Sequence, residues 1–148
     1  MNKESLEPSR QPGARIRTLL VDDSPVALEL LVNFLNSLPE LEFVGSAWNG
    51  EQGQALAEQV LPDLVLADLE MPRVGGLDLT SALRKKFPAM RLVIISTHEG
   101  VVWEELSQSY GADAFVPKRC IATQLPGLVA RLFAGAALPV IPRPEAVA

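Results

Sequence analysis

Short apolar runs alternate along this chain with longer segments in which apolar residues recur three and four positions apart. The short runs are bounded by polar residues, glycine or proline, which is typical of buried parallel strands. The longer segments have the spacing of amphipathic helices. The pattern predicts strands at Ile16–Val21, Leu41–Ala47, Leu64–Ala67, Leu92–Ile95 and Ala114–Val116.

Each predicted strand is followed by a predicted helix, at about residues 25–38, 51–61, 77–87, 101–110 and 121–133. Ser24 and Pro25 suit the start of the first helix, and Gly111 suits the end of the fourth. Asn49-Gly50 predicts a turn, and the glycines of Gly75-Gly76 predict a loop because they tolerate positive φ. The third helix is expected to bury Leu77, Thr80, Leu83 and Phe87.

Repeated strand–helix alternation favours an α/β fold of three layers, a (βα)5 doubly wound parallel sheet with helices on both faces. At 148 residues the chain is long enough for one domain with a full core. Residues 16–134 are predicted to form that domain. The polar segment 1–15 is predicted to be a disordered tail, and residues 135–148, with three prolines, a tail or linker stub.

Composition narrows the classes of function. The net charge of -5 and the pI of about 4.9 argue against nucleic-acid binding by this domain. Cys120 is the single cysteine, which excludes an internal disulfide and suits a reducing cytosol, so we expect a cytoplasmic protein. The most apolar stretch, residues 125–141, is interrupted by Pro126, Arg131 and Pro139, so no membrane span is expected.

The carboxyl ends of parallel strands share one rim of a sheet, and this chain places reactive side chains there. They are Asp22 and Asp23 after the first strand, Asp68 after the third, Ser96 and Thr97 after the fourth, and Lys118 past Pro117 after the fifth. Clustered carboxylates repel one another and raise one another's pKa. A hard divalent cation such as Mg²⁺, which prefers oxygen ligands, would resolve this conflict.

The cluster predicts phosphoryl chemistry. Asp68 would be the nucleophile that forms an aspartyl phosphate, and Mg²⁺ would be bound by Asp22 or Asp23, Asp68 and the backbone carbonyl of Glu70. The Lys118 ammonium and the Ser96 hydroxyl would contact further phosphoryl oxygens. Each motif alone has an ordinary structural explanation, such as a helix cap or a solvated lysine, so the prediction depends on their occurrence together.

Together the motifs resemble the receiver domain of two-component response regulators, from about Ile16 to Phe133. The matching stretches are Leu-Leu-Val-Asp-Asp-Ser-Pro, Asp-Leu-Val-Leu-Ala-Asp-Leu-Glu-Met-Pro with Gly-Gly after it, Val-Ile-Ile-Ser-Thr, and Gly-Ala-Asp-Ala-Phe-Val-Pro-Lys. The resemblance implies a flavodoxin-like, chemotaxis-Y-like fold with strand order 2-1-3-4-5.

The resemblance also implies roles for residues. They are Asp68 as phospho-acceptor, Asp22 and Asp23 as metal-site acids, Ser96 (with Thr97 beside it) as switch hydroxyl, Phe115 as switch aromatic and Lys118 as the phosphate-pairing lysine. Phosphorylation would draw Ser96 towards the phosphoryl group, let Phe115 turn inward, and remodel the surface of the fourth helix, fifth strand and fifth helix. The protein would then be a signalling module and not an enzyme.

Its implied partners are a histidine kinase or phosphotransfer protein and, for output, a downstream protein or a missing output domain. A homodimer through the remodelled surface is a further expectation. No contact with nucleic acid or membrane is expected from this domain.

Three positions depart from the commoner pattern of the family. Glu70 stands two residues after Asp68, and His98 stands two residues after Ser96, so both are expected to tune the lifetime of the phosphoryl group. Arg119 follows Lys118 where proline is frequent, which excludes a cis Lys-Pro bond.

Two other classes of function compete with this interpretation. A Mg²⁺-dependent phosphatase with an aspartyl nucleophile commonly has a second Asp two residues further on, and Glu70 occupies that position here. A nucleotide or flavin binder would need a glycine-rich loop after the first strand, where Asp-Asp-Ser-Pro stands instead.

Overall fold

The computed structural model describes residues 14–134. Apart from Ala14 and Arg15, the two predicted tails therefore lie outside the described residues. The Arg15 guanidinium donates hydrogen bonds to the carbonyls of Pro39 (3.2 Å) and Leu41 (2.6 Å). Over the described range, no helix combines the length and the apolar character needed to cross a membrane.

Strands and helices alternate along the described chain. The strands are β1 (Ile16–Val21), β2 (Leu41–Ala47), β3 (Leu64–Asp68), β4 (Arg91–Ser96) and β5 (Ala114–Pro117), and the helices are α1 (Pro25–Asn36), α2 (Gly50–Val60), α3 (Gly76–Lys86), α4 (Val101–Ser109) and α5 (Ile121–Leu132). A 3₁₀ turn, Lys118–Cys120, precedes α5. The strands pair in parallel in the order β2-β1-β3-β4-β5, which confirms the predicted fold class and strand order.

Each face of the sheet is covered by its own apolar cluster. Because side chains alternate along a strand, Leu20 faces the cluster that includes Leu35 of α1 and Leu125 of α5. Leu19 faces the opposite cluster, which includes Leu83 of α3. The strands are thus buried on both faces, which explains why they appear in the sequence as continuous apolar runs.

Two predicted details were wrong at the ends of helices. Asn49 does not form a free turn with Gly50; it caps α2, and its side-chain oxygen accepts a hydrogen bond from the Gln52 N–H at 2.8 Å. The buried face of α3 is Gly76, Leu79, Thr80 and Leu83, whereas Leu77 and Phe87 are only partly buried. The helix begins against the end of β3 at Gly76, and this contact sets which residues face the sheet.

The loop after β3 uses its glycines differently from the prediction. The residue with positive φ is Arg73, at 67°, while Gly75 has φ -81°. Gly76 is required for space, because a Cβ atom there would lie 2.1 Å from the Asp68 carbonyl oxygen. The first turn of α3 is therefore pressed against the strand end that carries Asp68.

We expect Gly76→Ala to lower the free energy of unfolding by about 1–3 kcal/mol, since the added methyl group forces the end of β3 and the start of α3 apart. Gly127→Ala is the matched control: Gly127 lies inside α5, and the new Cβ would lie 4.0 Å from the Arg131 guanidinium. It should raise the free energy of unfolding by about 0.5–1 kcal/mol. Urea denaturation measures both, and a loss of similar size in both variants would contradict the steric argument.

Candidate functional site

Three carboxylates meet at the carboxyl ends of β1 and β3. Oxygen atoms of Asp22, Asp23 and Asp68 all lie within 4.8 Å of one another. Asp22 is fully buried, Asp68 is 8% exposed and Asp23 is exposed. β1 and β3 are adjacent, and Val21 of β1 pairs with Ala67 of β3. Asp22, which follows β1, and Asp68, which ends β3, therefore lie side by side.

Local structure holds Asp22 in position. Its N–H donates to the Ala47 carbonyl at 3.0 Å, and its Oδ1 accepts from the Ser24 N–H at 2.9 Å. Ser24 then caps α1, since its hydroxyl oxygen accepts from the Ala27 N–H at 3.1 Å. Asp22 therefore shapes the turn with one oxygen and presents the other, Oδ2, to the cluster.

Lys118 supplies a positive charge to the same cluster. Its Nζ lies 2.7 Å from Oδ2 of Asp22 and 3.3 Å from Oδ1 of Asp68. Among the described residues, that buried Oδ2 has this ion pair but no hydrogen bond of regular geometry. One ammonium faces three carboxylates, so the cluster keeps a net negative charge and an incompletely satisfied oxygen. An all-oxygen donor set of this kind fits a hard divalent cation.

The ionisation of Asp68 is opposed by its surroundings. Burial raises the pKa of Asp68 from 3.8 to about 6, with a further contribution from the Asp22 charge, while Lys118 acts in the opposite direction. Burial also lowers the pKa of Lys118, but its hydrogen bond and charge interactions with Asp22 and Asp68 outweigh that effect and leave the pKa raised. The lysine is therefore charged, and the Asp68 carboxylate is destabilised in its ionised form.

A cleft of about 440 Å³ opens over this cluster and contains most of the predicted site. Asp23, Asp68, Glu70, Ser96, Thr97 and Lys118 line it, together with Met71 and Pro72. Ser96 is the last residue of β4 and is buried, whereas Thr97 is exposed. Asp22 lies beneath the cleft, in contact with Lys118.

Phe115, unlike most of the predicted site residues, does not line the cleft. It is partly buried in β5, paired with Ile94, and packs against the apolar cluster on the α3 face. It lines a separate cavity of about 180 Å³ with Glu104, Gln108 and Ala112. An effect of the cleft on Phe115 can pass through β4, whose Ile94 pairs with it, or along β5, which ends directly before Lys118.

The β4–α4 loop (residues 97–100) borders the cleft through Thr97. The Ser96 hydroxyl oxygen accepts from the His98 N–H at 2.9 Å, and His98 Nε2 lies 2.9 Å from Oε2 of Glu70. The His98 ring also stacks on Trp103 of α4, with ring centroids 4.5 Å apart. The two residues expected to tune lifetime therefore contact each other directly.

Trp103 and Glu99 are neighbours of the site that the sequence motifs did not indicate. Arg119 binds Glu99 through two hydrogen bonds, from Nε to Oε2 at 2.5 Å and from Nη2 to Oε1 at 2.7 Å. The only sequence signal was the unusual arginine after Lys118, because its partner comes from a different loop. No cis peptide bond occurs in the described chain, and Lys118 enters a 3₁₀ turn directly after Pro117.

Comparisons with known proteins agree on one family. Residues 18–130 match the response regulator receiver domain. The chain is 39% identical over 107 residues to a protein-glutamate methylesterase/protein-glutamine glutaminase of Pyrococcus abyssi, covering 72% of this chain and 29% of that protein. It is 40% identical over 112 residues to the nitrate/nitrite response regulator protein NarL of Escherichia coli, covering 74% of this chain and 50% of that protein.

Solved structures show the same fold. The response regulator domain of Thermotoga maritima CheB matches with a TM-score of 0.71 at 29% identity, over 86% of this chain and 99% of that one. The receiver domain of the response regulator NarL from Mycobacterium tuberculosis matches with a TM-score of 0.75 at 26% identity, over 82% of this chain and 98% of that one.

The chain belongs to the receiver domain family of response regulators, the phosphorylation-controlled modules of two-component signalling. These comparisons do not favour the alternative of a Mg²⁺-dependent phosphatase. The chain spans half or less of the curated relatives cited here, so their complete activities do not transfer to it.

The raised pKa of Asp68 predicts how stability depends on pH. Between pH 3.8 and about 6 the folded protein holds a proton on Asp68 that the unfolded chain has released, so stability falls as pH rises through this window. Asp68→Asn removes the effect. In buffer containing EDTA, the Asp68→Asn substitution should raise the free energy of unfolding by up to about 3 kcal/mol at pH 7.5 and by almost nothing below pH about 4.

Urea denaturation of both proteins at several pH values measures this difference. Glu42→Gln, which neutralises an exposed carboxylate of β2, is the control and should change stability little at any pH. A gain from Asp68→Asn that did not vary with pH would contradict the assigned cause.

Proposed function

We propose that Asp68 accepts a phosphoryl group from a histidine kinase or phosphotransfer protein, and that this receiver passes the signal on by protein contact. The observation that carries the proposal is the position of the Asp68 carboxylate. It lies at the end of a buried strand, faces an open cleft, and has Lys118 3.3 Å away. Family membership supports the same chemistry.

A Mg²⁺ ion would be held by Asp22, Asp23 and Asp68, with the backbone carbonyl of Glu70 as a further ligand. The proximity of the three carboxylates and the incompletely satisfied Oδ2 of Asp22 support this assignment. When bound, the ion would neutralise charge on the phosphoryl oxygens during transfer.

The chain's own residues would then orient the phosphoryl group. Lys118 would shift its ammonium from the carboxylates to a phosphoryl oxygen, a short movement because its Nζ is already beside Asp68. The Ser96 hydroxyl would donate to a second oxygen, and Thr97, on the exposed rim of the cleft, would border it. A carboxylate oxygen of Asp68 would attack the phosphorus in line while the bond from phosphorus to the imidazole nitrogen of the donor histidine breaks, so that the donor leaves as free histidine and Asp68 becomes the aspartyl phosphate.

We propose that the output surface is α4, β5 and α5. Movement of Ser96 at the end of β4 would change the packing beside Phe115, because Ile94 of β4 pairs with Phe115. The changed surface would bind a downstream protein or an output domain, or a second copy of this chain as a homodimer. The domain itself would act as a signalling module and not as an enzyme on a small substrate.

We also propose the bounds of the domain, its location in the cell and the absence of nucleic-acid binding by it. Residues 16–134 would form the receiver domain, with 1–15 and 135–148 as tails or linkers. The single free cysteine, Cys120, which is partly buried, is consistent with a cytoplasmic location. The net charge of -5 makes direct binding of nucleic acid by this domain unfavourable.

Incubation with acetyl phosphate and Mg²⁺ should add one phosphoryl group to the protein, as measured by intact mass. Asp68→Asn should keep its mass unchanged, and EDTA should abolish the modification in the wild type. Asp22→Ala and Asp23→Ala should each slow it, because each removes a carboxylate of the metal cluster. An unmodified wild type, or equal modification of Asp68→Asn, would refute the assignment.

We propose that the Glu70–His98 pair sets the lifetime of the phosphoryl group. The pair joins the loops on the two sides of the cleft, so it restricts the approach of water to Asp68. His98→Ala removes this hydrogen bond and should shorten the lifetime about two- to tenfold. Glu70→Gln keeps an oxygen that can accept from His98 but loses the negative charge, so it should shorten the lifetime less. If Glu70→Gln lengthened the lifetime instead, the carboxylate would be activating water, and the shielding role would be wrong.

A further inference from the structure

The β4–α4 loop is held on both sides of the cleft. His98 contacts Glu70 in the loop after β3, and Glu99 binds Arg119, which follows Lys118. At its far end, Gly100 has φ +119° and no atom within 4 Å of the position of a Cβ, so the loop is unpacked there. Polar contacts of His98 and Glu99, together with the stack of the His98 ring on Trp103, therefore hold the two middle residues of the loop.

Of these two polar contacts, the Glu99–Arg119 pair has the more favourable geometry. It is bidentate, with N···O distances of 2.5 and 2.7 Å, although the Arg119 side chain is 70% exposed. Exposed pairs usually stabilise a protein little, but a bidentate arginine–carboxylate pair is the favourable case. Arg119 lowers the pKa of Glu99 through its hydrogen bond, which is consistent with a formed pair.

One end of this pair is anchored more firmly than the other. Arg119 lies in the 3₁₀ turn between Lys118, which is paired with Asp22, and Ile121, which is buried. Glu99 lies in the β4–α4 loop. The backbone of this loop is linked to the cleft by the hydrogen bond from the His98 N–H to the Ser96 hydroxyl oxygen.

The response of Ser96 to a phosphoryl group therefore strains this arrangement. A movement of the Ser96 oxygen towards a phosphoryl group on Asp68, as the proposed function requires, would take that oxygen away from the His98 N–H unless the loop followed it. Movement of the loop would displace Glu99 relative to Arg119, whose turn is anchored, and the guanidinium could keep both hydrogen bonds only if its exposed side chain changed conformation. The planar fork of the arginine tolerates little displacement.

We propose that the Glu99–Arg119 ion pair is a latch that holds the β4–α4 loop in its resting arrangement and so opposes the turn of Ser96 towards a phosphoryl group. Glu99 and Arg119 are then positioning residues that act through Ser96 without contacting the phosphoryl group. This inference rests on the proposed function of Asp68.

The test is a pair of double variants that leave the net charge unchanged. Glu99→Gln with Arg119→Gln removes the latch. Glu58→Gln with Lys86→Gln removes another exposed ion pair, at 3.1 Å, near the carboxyl ends of α2 and α3 and so on the side of the sheet away from the cleft. Because neither double variant alters net charge, a general change in attraction for anions is excluded as the cause of any difference.

The probe is fluoroberyllate with Mg²⁺, a phosphoryl analogue that forms no covalent product. The readout is Trp103 fluorescence in a Trp48→Phe background, since Trp48 and Trp103 are the only tryptophans and Trp103 stacks on His98. The latch variant should bind fluoroberyllate about two- to fivefold more tightly than the parent, the size expected for one exposed ion pair. Its resting emission should also shift towards that of the bound parent.

The control double variant should match the parent in both readouts. Unchanged affinity in the latch variant, or an equal gain in the control, would overturn the latch while leaving the function of Asp68 in place. A parent protein that bound no fluoroberyllate would instead overturn the proposed function, and the latch with it. In the single variants, the latch predicts tighter binding for both, whereas a pure charge effect predicts opposite changes for Glu99→Gln and Arg119→Gln.

Discussion

The burial of the Asp68 carboxylate beside Asp22 is the constraint on which this site depends. A carboxylate in that position is unfavourable when ionised, and its pKa of about 6 expresses that cost. Lys118 relieves part of it through contacts of 2.7 Å to Asp22 and 3.3 Å to Asp68. The fold tolerates the remainder because the strands below are buried on both faces and hold the cluster rigidly. The same unfavourable charge makes the site responsive to a cation or a phosphoryl group, since either one changes the electrostatic free energy of the carboxylate cluster.

Two loops connect this cluster to the rest of the surface. The loop after β3 is held close by Gly76, whose missing side chain allows α3 to begin against the Asp68 carbonyl. The β4–α4 loop is held by polar contacts from its two middle residues and by the stack of His98 on Trp103. One loop is therefore fixed by backbone packing and the other by contacts that solvent can replace. Of the two loops, we therefore expect the β4–α4 loop, which leads into α4, to move more easily.

Much of the fold was predictable because its determinants are local. Apolar runs and helical spacing located all five strands and helices, and the rule that parallel strands share a rim brought Asp22, Asp68 and Lys118 together. The unpredicted features depend on pairs from different loops, such as Glu99 with Arg119. Spacing also could not show that Arg73, and not Gly75 or Gly76, takes the positive φ, because that choice depends on how closely α3 approaches β3. Nor could it rank burial above like charge as the cause of the raised Asp68 pKa.

The strand order has a consequence for how the protein forms during synthesis. β2, β1 and β3 are neighbours and are complete by Asp68, whereas β4 and β5 are added afterwards along one edge. The three carboxylates all precede β4 in the chain, and the lysine lies in the turn directly after β5, the last strand. Any partly formed sheet without β5 would therefore have an acidic tip that lacks its lysine. Docking of β5 would bring that positive charge to the cluster, so the lysine of the finished site would also favour completion of the sheet.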